Sequence, residues 1–589
     1  MRPINAIWIL LVAVVSSKAS ALSPRIVVNQ AGYLPHWQKV ALLVDGGAQA
    51  SVQVKDVESG RSVMTVSIGE TRVDSLTGDP VRRIDFSALA KPGRYQLVAG
   101  DLTSYPFDIS VAGWESALRL LLRGFYLQRC GVAIDDAVSN VRHAICHIED
   151  GRVRHRDPHH DARHVINAAG GWHDAGDYGK YIATTTVAVA QLLSLYLYHR
   201  NAVTQDDLKI PESGNGRPDI LDEAKVGLDW MLSMQRIDGA VYRKLSGTKW
   251  PHNQSPHQDT QPRFLYGVST PDTAKFAAAM ALAARAYRTV DSEVAHRYLK
   301  AAERAWAYLE KHPEQQFDYR DGDDSGSGPY RADGTDVEAA LRYDWDDRLW
   351  AAAELYLTTG ASHFAQSLKT LSQYMPYTLF EWKDPSSLGL LHYVLSEKND
   401  TLGMREVYKQ RLLDRAGALV AQSKLSEYRV ANRRIVWGSN KMTVQEGLTL
   451  AYAWRFTGQR KFLTAAIDQV DYALGRNHFN KSFVSGLGAN PVAHVSHLFA
   501  MASGQDIPGL FVGGPNELAQ AGLAPKWQRL RSYVDQAKSY ATNESAIDYN
   551  ATLINLLGVL LDEYGKAPKS TQRSGDADLA HAARASSGE

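Results

Sequence analysis

Two aspartates, Asp174 and Asp177, stand three apart in GGWHDAGDYGKY, Gly170–Tyr181, separated only by Ala175 and Gly176 and surrounded by Trp, His and Tyr. A lone Asp at a helix start reads as an N-cap, its oxygen on a backbone N–H. Two acids with a small spacer can instead point into one cleft. Such a pair repels unless neighbours donate hydrogen bonds or one member holds a proton, and it can bind a water and take its proton as a general base. A base acting on a neutral substrate needs an acid for the leaving group. NESAIDYNA, Asn543–Ala551, supplies candidates in Glu544 and Asp548 at the start of the last long apolar helix. Capping around Asn543 and Glu544 accounts for that segment equally well at this point. An acid and a base on opposite sides of a linkage, far apart in sequence, is the plan of glycoside hydrolysis. The abundance of Trp and Tyr near loops suits sugars, whose apolar faces stack on rings.

These groups need a scaffold. At 589 residues the chain is long enough for roughly two to four domains. Its net charge of +1 excludes the basic footprint of a nucleic-acid binder. Residues 1–21 read as a signal peptide: Arg2, the apolar run AIWILLVAVV and small residues before Leu22. That run is too short to span a bilayer, so a secreted or periplasmic protein is expected, with no membrane attachment after cleavage. Residues 22–110 carry short β-branched runs punctuated by Gly, Pro and Asp, the texture of a β-sandwich. Residues 111–566 change to apolar repeats at helical spacing, about a dozen helices joined by polar, Gly-rich loops. They predict an all-α domain, a helical barrel or a solenoid, without a tandem repeat of fixed period. The tail 567–589, rich in Ser, Ala, Asp and Arg, is expected to be disordered.

Several motifs occur together and in order: NQAGYLP at Asn29–Pro35, FYLQRCG at Phe125–Gly131, GGWHDAGDYGKY, IPESGNGRPDILDEAKVGLDWML at Ile210–Leu232, PGLFVGGPN at Pro508–Asn516 and NESAIDYNA. With them the chain resembles glycoside hydrolase family 9, in the subgroup that carries an immunoglobulin-like domain before the catalytic domain. The resemblance runs from about Arg25 to Glu563. It implies an N-terminal immunoglobulin-like sandwich followed by an (α/α)6 barrel that hydrolyses β-1,4-linked glucan with inversion. It further implies Asp177 as the base, Asp174 as a holder of the attacking water, Glu544 as the acid and Tyr549 lining the sugar site. Trp172 and His497 are expected to contact substrate. For Glu544 to carry a proton near neutral pH, burial or a nearby carboxylate must raise its pKa.

Cys130 and Cys146 are the only cysteines. In an exported protein the default is a disulfide. His147 follows Cys146 and His173 precedes Asp174, however, and two thiols with two imidazoles suit a closed tetrahedral zinc site. The resemblance supports a structural zinc at these four positions, and the disulfide stays open beside it. His155, His159, His160 and His164 lack fixed ligand spacing and read as loop surface. The acidic stretches Asp321–Asp336 and Asp344–Asp347 are calcium candidates by their oxygen content. Asp346 and Asp347 match a pair near which relatives bind calcium; solvated charge is the competing account.

After GLGANP the family's pattern continues to Pro-His-His-Arg. Here the chain reads VAHVSHLFA, with Ser496 at the first His and Leu498 at the Arg, while His497 matches. Losing a guanidinium removes charge-assisted hydrogen bonds to sugar. Two further readings therefore stand beside the endo-1,4-β-glucanase: an exo-acting β-glycosidase on cello-oligosaccharides or glucosamine oligomers, and a glycan-binding protein without catalysis. A monomer acting on a β-glucan or oligosaccharide is expected.

Overall fold

The computed structural model describes residues 24–327 and 343–566. The expected signal peptide, the expected disordered tail 567–589 and the second half of the acidic stretch Asp321–Asp336 lie outside the described residues.

The N-terminal part is two antiparallel sheets. Its strands are β1 (Arg25–Val27), β2 (Val40–Val44), β3 (Ser51–Asp56), β4 (Ser62–Ser67), β5 (Arg72–Val73), β6 (Pro80–Asp85), β7 (Gly93–Ala99), β8 (Leu102–Thr103) and β9 (Phe107–Ile109). One sheet runs β1-β2-β6-β5; the other runs β4-β3-β7-β8, with β9 also paired to β7. In β2 every residue is buried, although alternate side chains of a strand point to opposite faces. Ala41 and Leu43 enter the sandwich core, whereas Val40, Leu42 and Val44 join the core of the helical domain. The continuous apolar run thus marks a sheet covered on both sides.

Twelve long helices follow among the described residues: α1 (Val111–Leu127), α2 (Ile182–Tyr198), α3 (Asp219–Ser233), α4 (Thr270–Tyr287), α5 (Ser292–Lys311), α6 (Trp345–Thr359), α7 (Ser362–Ser372), α8 (Ser386–Leu395), α9 (Arg405–Ser423), α10 (Ser439–Thr457), α11 (Arg460–Ala473) and, after the short α12 (Leu498–Ser503) and α13 (Tyr540–Asn543), α14 (Ile547–Lys566). The inner ring runs α14, α2, α4, α6, α8, and α10 returns to α14; α1, α3, α5, α7, α9 and α11 pack outside it. This is an (α/α)6 barrel. Sequence sets the layers. α2 is buried from Ile182 to Tyr196 and α4 is Ala-rich and buried almost throughout, as helices apolar all round must be. In α5, Tyr298, Ala302, Ala305 and Leu309 face inward and the charged residues face outward.

The two parts are joined by a polar and aromatic seam. Trp37 meets Trp454 and Tyr564 edge-on, at 5.4 and 5.0 Å between centroids. Asn29 Nδ2 donates to Asp471 Oδ1 at 2.8 Å. The buried Asp79 carboxylate pairs with His478 (2.6 Å), accepts from the Tyr428 hydroxyl (2.7 Å) and pairs with Arg531.

Candidate active site

Asp174 and Asp177 lie in the loop that feeds α2, and both are buried. The Asp174 N–H donates to Gly179 O (2.9 Å), closing the loop on itself. Asp174 O accepts from the N–H of Ile547, the first residue of α14 (2.9 Å), which ties the loop to the far end of the chain. The Thr184 hydroxyl donates to Asp174 Oδ1, and Tyr181 Oη donates to Asp177 Oδ2 at 3.1 Å. Burial pushes the Asp177 carboxyl above its usual range, while Tyr181 and the Gly179 N–H pull the other way.

Glu544 sits between α13 and α14 in extended conformation. Its N–H donates to Tyr540 O (3.2 Å) and its carbonyl accepts from Gly513 N (2.8 Å). The side chain lies against the aspartate loop: a Cβ on Gly176 would be 3.3 Å from Glu544 Oε1. Burial, followed by the charges of Asp177 and Asp174, pushes the Glu544 carboxyl well above its usual range. The geometry therefore sets Glu544, whose carboxyl is raised well above its usual range, against the loop that carries Asp174 and Asp177. The capping account does not hold for these side chains. Glu544 faces Gly176, and Asp548, inside α14, faces Lys441 at 3.5 Å.

Residues 493–498 form a strap across both groups. Leu498 N–H donates to Gly176 O (2.8 Å) and Ser496 N–H donates to Asn543 O (2.9 Å). Half-buried Tyr549 places its hydroxyl 2.9 Å from where a Cβ on Gly438 would stand. Next to Gly438, Trp437 packs on Tyr540 with centroids 5.5 Å apart, and Tyr540 is 43 % exposed. That pair offers an apolar face of the kind sugars stack on.

Two expected substrate contacts are corrected. Trp172 is buried, donates its indole N–H to Glu223 (2.7 Å) and packs on Phe125 at 5.0 Å. Its ring presents no free face. His497 is also buried; its Nε2 pairs with Gln128 Oε1 (2.8 Å) and its Nδ1 accepts from Phe499 N (3.2 Å). Both ring nitrogens are thus engaged inside the protein. Gln128 in turn donates to Ala175 O (3.1 Å), so His497 and Gln128 brace the aspartate loop from below. Sequence reading missed Tyr181, Thr184, Gln128, Trp437 and Tyr540. Of these, only Tyr181 left a signal, four residues after Asp177.

Cys130, Cys146, His147 and His173 come together, with one candidate ligand atom from each lying within 4.8 Å of the others. Both cysteines are free thiols, so the disulfide is not formed. His173 Nε2 is 3.2 Å from His147 Nδ1, and Cys130 Sγ is 3.6 Å from the same nitrogen. On its other side, His147 Nε2 faces Asp259 Oδ2 at 3.5 Å. A carboxylate on the second ring nitrogen is the usual way a ligating imidazole is oriented. Burial lowers His173 to about 4, keeping it neutral, the form in which imidazole binds metal. Asp346 and Asp347 also lie together, at the start of α6, but the cation against them is Lys275, whose Nζ is 2.6 Å from Asp347 Oδ1 with both groups fully buried. Burial raises Asp346 to about 7.

The barrel, the sandwich before it and the carboxyl cluster at the loops define a glycoside hydrolase. The sequence profile of glycosyl hydrolase family 9 matches residues 114–557, and that of the cellulase N-terminal ig-like domain matches residues 21–104. The chain belongs to glycosyl hydrolase family 9. It is 30% identical over 545 residues to Endoglucanase D of Acetivibrio thermocellus, covering 90% of this chain and 83% of that protein. The crystal structure of a metagenome-derived glycoside hydrolase family 9 endoglucanase superposes with a TM-score of 0.87 at 40% identity, covering 92% of this chain and 99% of that one. That of a Zn-binding triple mutant of endoglucanase J30 superposes with a TM-score of 0.83 at 35% identity, covering 89% and 99%. Among the described residues no helix is long and apolar enough to cross a membrane.

Proposed function

We propose that the protein is a secreted, monomeric endo-β-1,4-glucanase that cleaves with inversion. Asp177 takes the proton of the attacking water, Asp174 holds that water, Glu544 protonates the bridging oxygen, and Tyr549 with the Trp437–Tyr540 pair lines the glucan. One observation carries the reading: the Glu544 side chain lies against the aspartate loop, with Oε1 3.3 Å from where a Cβ on Gly176 would stand, where burial and the charges of Asp177 and Asp174 push its carboxyl well above the usual range. An acid and a base whose environments push them to different charge states is the arrangement that glycoside hydrolysis requires. Asp177→Asn and Glu544→Gln are each expected to lower turnover about 10²–10⁴-fold with folding intact. The screen uses soluble glucans, cello-oligosaccharides and chitosan oligomers, with product size and anomer recorded. Turnover that survives Glu544→Gln rejects the acid assignment, and products that retain the anomer reject inversion.

A second reading, exo-action on short oligosaccharides, is favoured by one feature. Ser496 is buried and Leu498 is an apolar, half-buried residue, so this stretch offers sugar no guanidinium. A single short product released from a long chain selects this reading; a spread of lengths selects the endo mode.

The four-residue Cys/His cluster fits zinc by donor chemistry and by the Asp259 carboxylate behind His147. A zinc held by Cys130, Cys146, His147 and His173 supplies a structural cross-link between the end of α1 and the residue before Asp174. At Asp346 and Asp347 the buried ammonium of Lys275 supplies a positive charge against Asp347.

A further inference from the structure

The peptide unit between Tyr178 and Gly179 has the base at one end and a buried arginine at the other. Its N–H, on Gly179, favours the Asp177 anion together with Tyr181 Oη. Its carbonyl, Tyr178 O, accepts from Arg263 Nη2 at 2.6 Å. The C=O and N–H of a trans peptide point in opposite directions, so a guanidinium fixed on the oxygen turns the N–H toward Asp177. Space requires glycine at 179: a Cβ there would stand 2.3 Å from Tyr181 Oη and 2.8 Å from Asp177 Oδ2. Glycine also accepts φ of either sign, which leaves the peptide before it free to turn over and set its oxygen against the carboxylate. Arg263 opposes that turnover from outside the loop. It is buried immediately before the strand Phe264–Val268. Its Nε donates to Asp150 Oδ1 at 2.7 Å, Lys180 Nζ stands 2.8 Å from Asp150 Oδ2, and Asp259 Oδ2 lies 3.9 Å from Nη1. The guanidinium is therefore anchored on a carboxylate that is itself held in place.

We propose that Arg263 is a positioning residue for the base: anchored on Asp150, it holds Tyr178 O and so locks the Tyr178–Gly179 peptide in the orientation whose N–H is directed at Asp177. It touches neither the water nor the sugar. A charged donor makes a hydrogen bond about twice as strong as a neutral one, and the planar fork fixes direction as well as distance. Asp177 is faced by the Tyr181 hydroxyl and the Gly179 N–H from its own loop, by the Arg263 charge, by Tyr178, and by Glu544, which also feels Asp174. Of these, the N–H is the one donor that a peptide turnover would replace with an oxygen.

This inference rests on Asp177 acting as the base, and Asp177→Asn is carried through the same assays so that the two can fail separately. The pH profile of kcat/KM is recorded for wild type, Arg263→Gln and Arg263→Lys on cellotetraose, whose leaving alcohol needs a proton, and on 2,4-dinitrophenyl β-cellobioside, whose phenolate leaves without one. Attack by water needs the base with either leaving group. Arg263→Gln is therefore expected to lower kcat/KM on both substrates by about tenfold, a part of what a general base contributes. It is also expected to move the acid limb of the profile up by about half a pH unit, less than an opposite charge in direct contact supplies. Arg263→Lys keeps the charge but replaces the fork with a point donor, and should show the same two effects at smaller size. An arginine that only supported the fold would lower the melting temperature and the rate and leave the acid limb in place. An acid limb unmoved in both variants thus overturns the proposal, whatever the loss in rate, and so does a loss confined to cellotetraose. Should Arg263→Gln fail to fold, Arg263→Lys decides alone on the same criteria. An Asp177→Asn enzyme that keeps wild-type turnover removes the base assignment and this proposal with it.

Discussion

Gly176 is the residue at which the site is most tightly fitted, and its replacement by alanine tests that fit directly. The need for glycine is steric. A Cβ there would stand 2.0 Å from Ser496 O and 3.3 Å from Glu544 Oε1, where real Cβ atoms do not come nearer than 3.0 Å. The strap or the loop must therefore move by at least 3.0 − 2.0 = 1.0 Å. The atom in the way is a backbone oxygen, so no rotamer relieves the clash, and the strap is pinned on both sides by Leu498 N to Gly176 O and Ser496 N to Asn543 O. A shift of that size between a catalytic group and its partner costs about 10²-fold in rate, or about 2.7 kcal/mol of transition-state stabilisation. Overpacking of a buried contact typically costs about 1–3 kcal/mol of stability as well, so the melting temperature is measured alongside. The assay is kcat/KM on cello-oligosaccharides for Gly176→Ala. Gly417→Ala serves as control, because nothing lies within 4 Å of a Cβ built at that position in α9. A Gly176→Ala enzyme within twofold of wild type refutes the claim that loop, strap and acid are in register at this point.

Three further outcomes are expected. kcat/KM should fall at low pH as the Asp177–Glu544 pair takes up a second proton and the base is lost; it should fall again at a pH well above the ordinary glutamate value, when Glu544 finally ionises. A profile whose alkaline limb sits at the ordinary carboxylate value contradicts the environment of Glu544. Zinc-loaded protein treated with a strong chelator should melt at lower temperature and expose two reactive thiols, from Cys130 and Cys146; an unchanged melt with unreactive thiols argues against a metal there. Asp79→Ala should cost about 3–5 kcal/mol, because it strands His478 and Arg531 at a buried seam, and chemical denaturation reads it. The His478 hydrogen bond and charge hold Asp79 well below the usual range against the penalty of burial. Its contribution is therefore fully present above the unfolded aspartate value and is lost as pH falls through the folded one; a stability difference between Asp79→Ala and wild type that persists in strong acid would contradict that assignment.

Local pattern made much of this molecule legible in advance. The all-round apolar runs of α2 and α4 were inner helices, and the punctuated β-branched runs were two sheets. Asp174, Asp177 and Glu544 were expected to share one cleft, and the structure brings Glu544 against the loop that carries both aspartates. What failed was inference from residue type alone. Trp172 looks like a sugar platform until Glu223, fifty-one positions away, is found on its indole N–H at 2.7 Å. His497 looks like a sugar donor until Gln128 claims its Nε2. In both cases the partner comes from a distant element, and no spacing within the loop announces it. Lys275 shows the same with charge: two adjacent aspartates read as a cation site, and a buried lysine from the neighbouring inner helix α4 stands against one of them, Asp347.

The division of charge between base and acid follows from where their hydrogen bonds come from. Burial raises both Asp177 and Glu544, so burial alone would give two acids and no base. Asp177 is still raised, but Tyr181 Oη, the Gly179 N–H and the Arg263 charge favour its anion and offset part of the burial. Tyr181 and Gly179 belong to the same loop as Asp177, so that part of its stabilisation forms as soon as the loop does. Glu544 arrives from the other end of the chain, with a single opposing backbone bond from Gly176. It meets carboxyls that already hold their donors. The Glu544 carboxyl is thus pushed well above its usual range, because the loop it docks on directs its hydrogen bonds to Asp177. Holding Glu544 an ångström farther from the loop would weaken the influence of Asp177 and Asp174 on it, so its raised pKa depends on the same contacts that place its side chain.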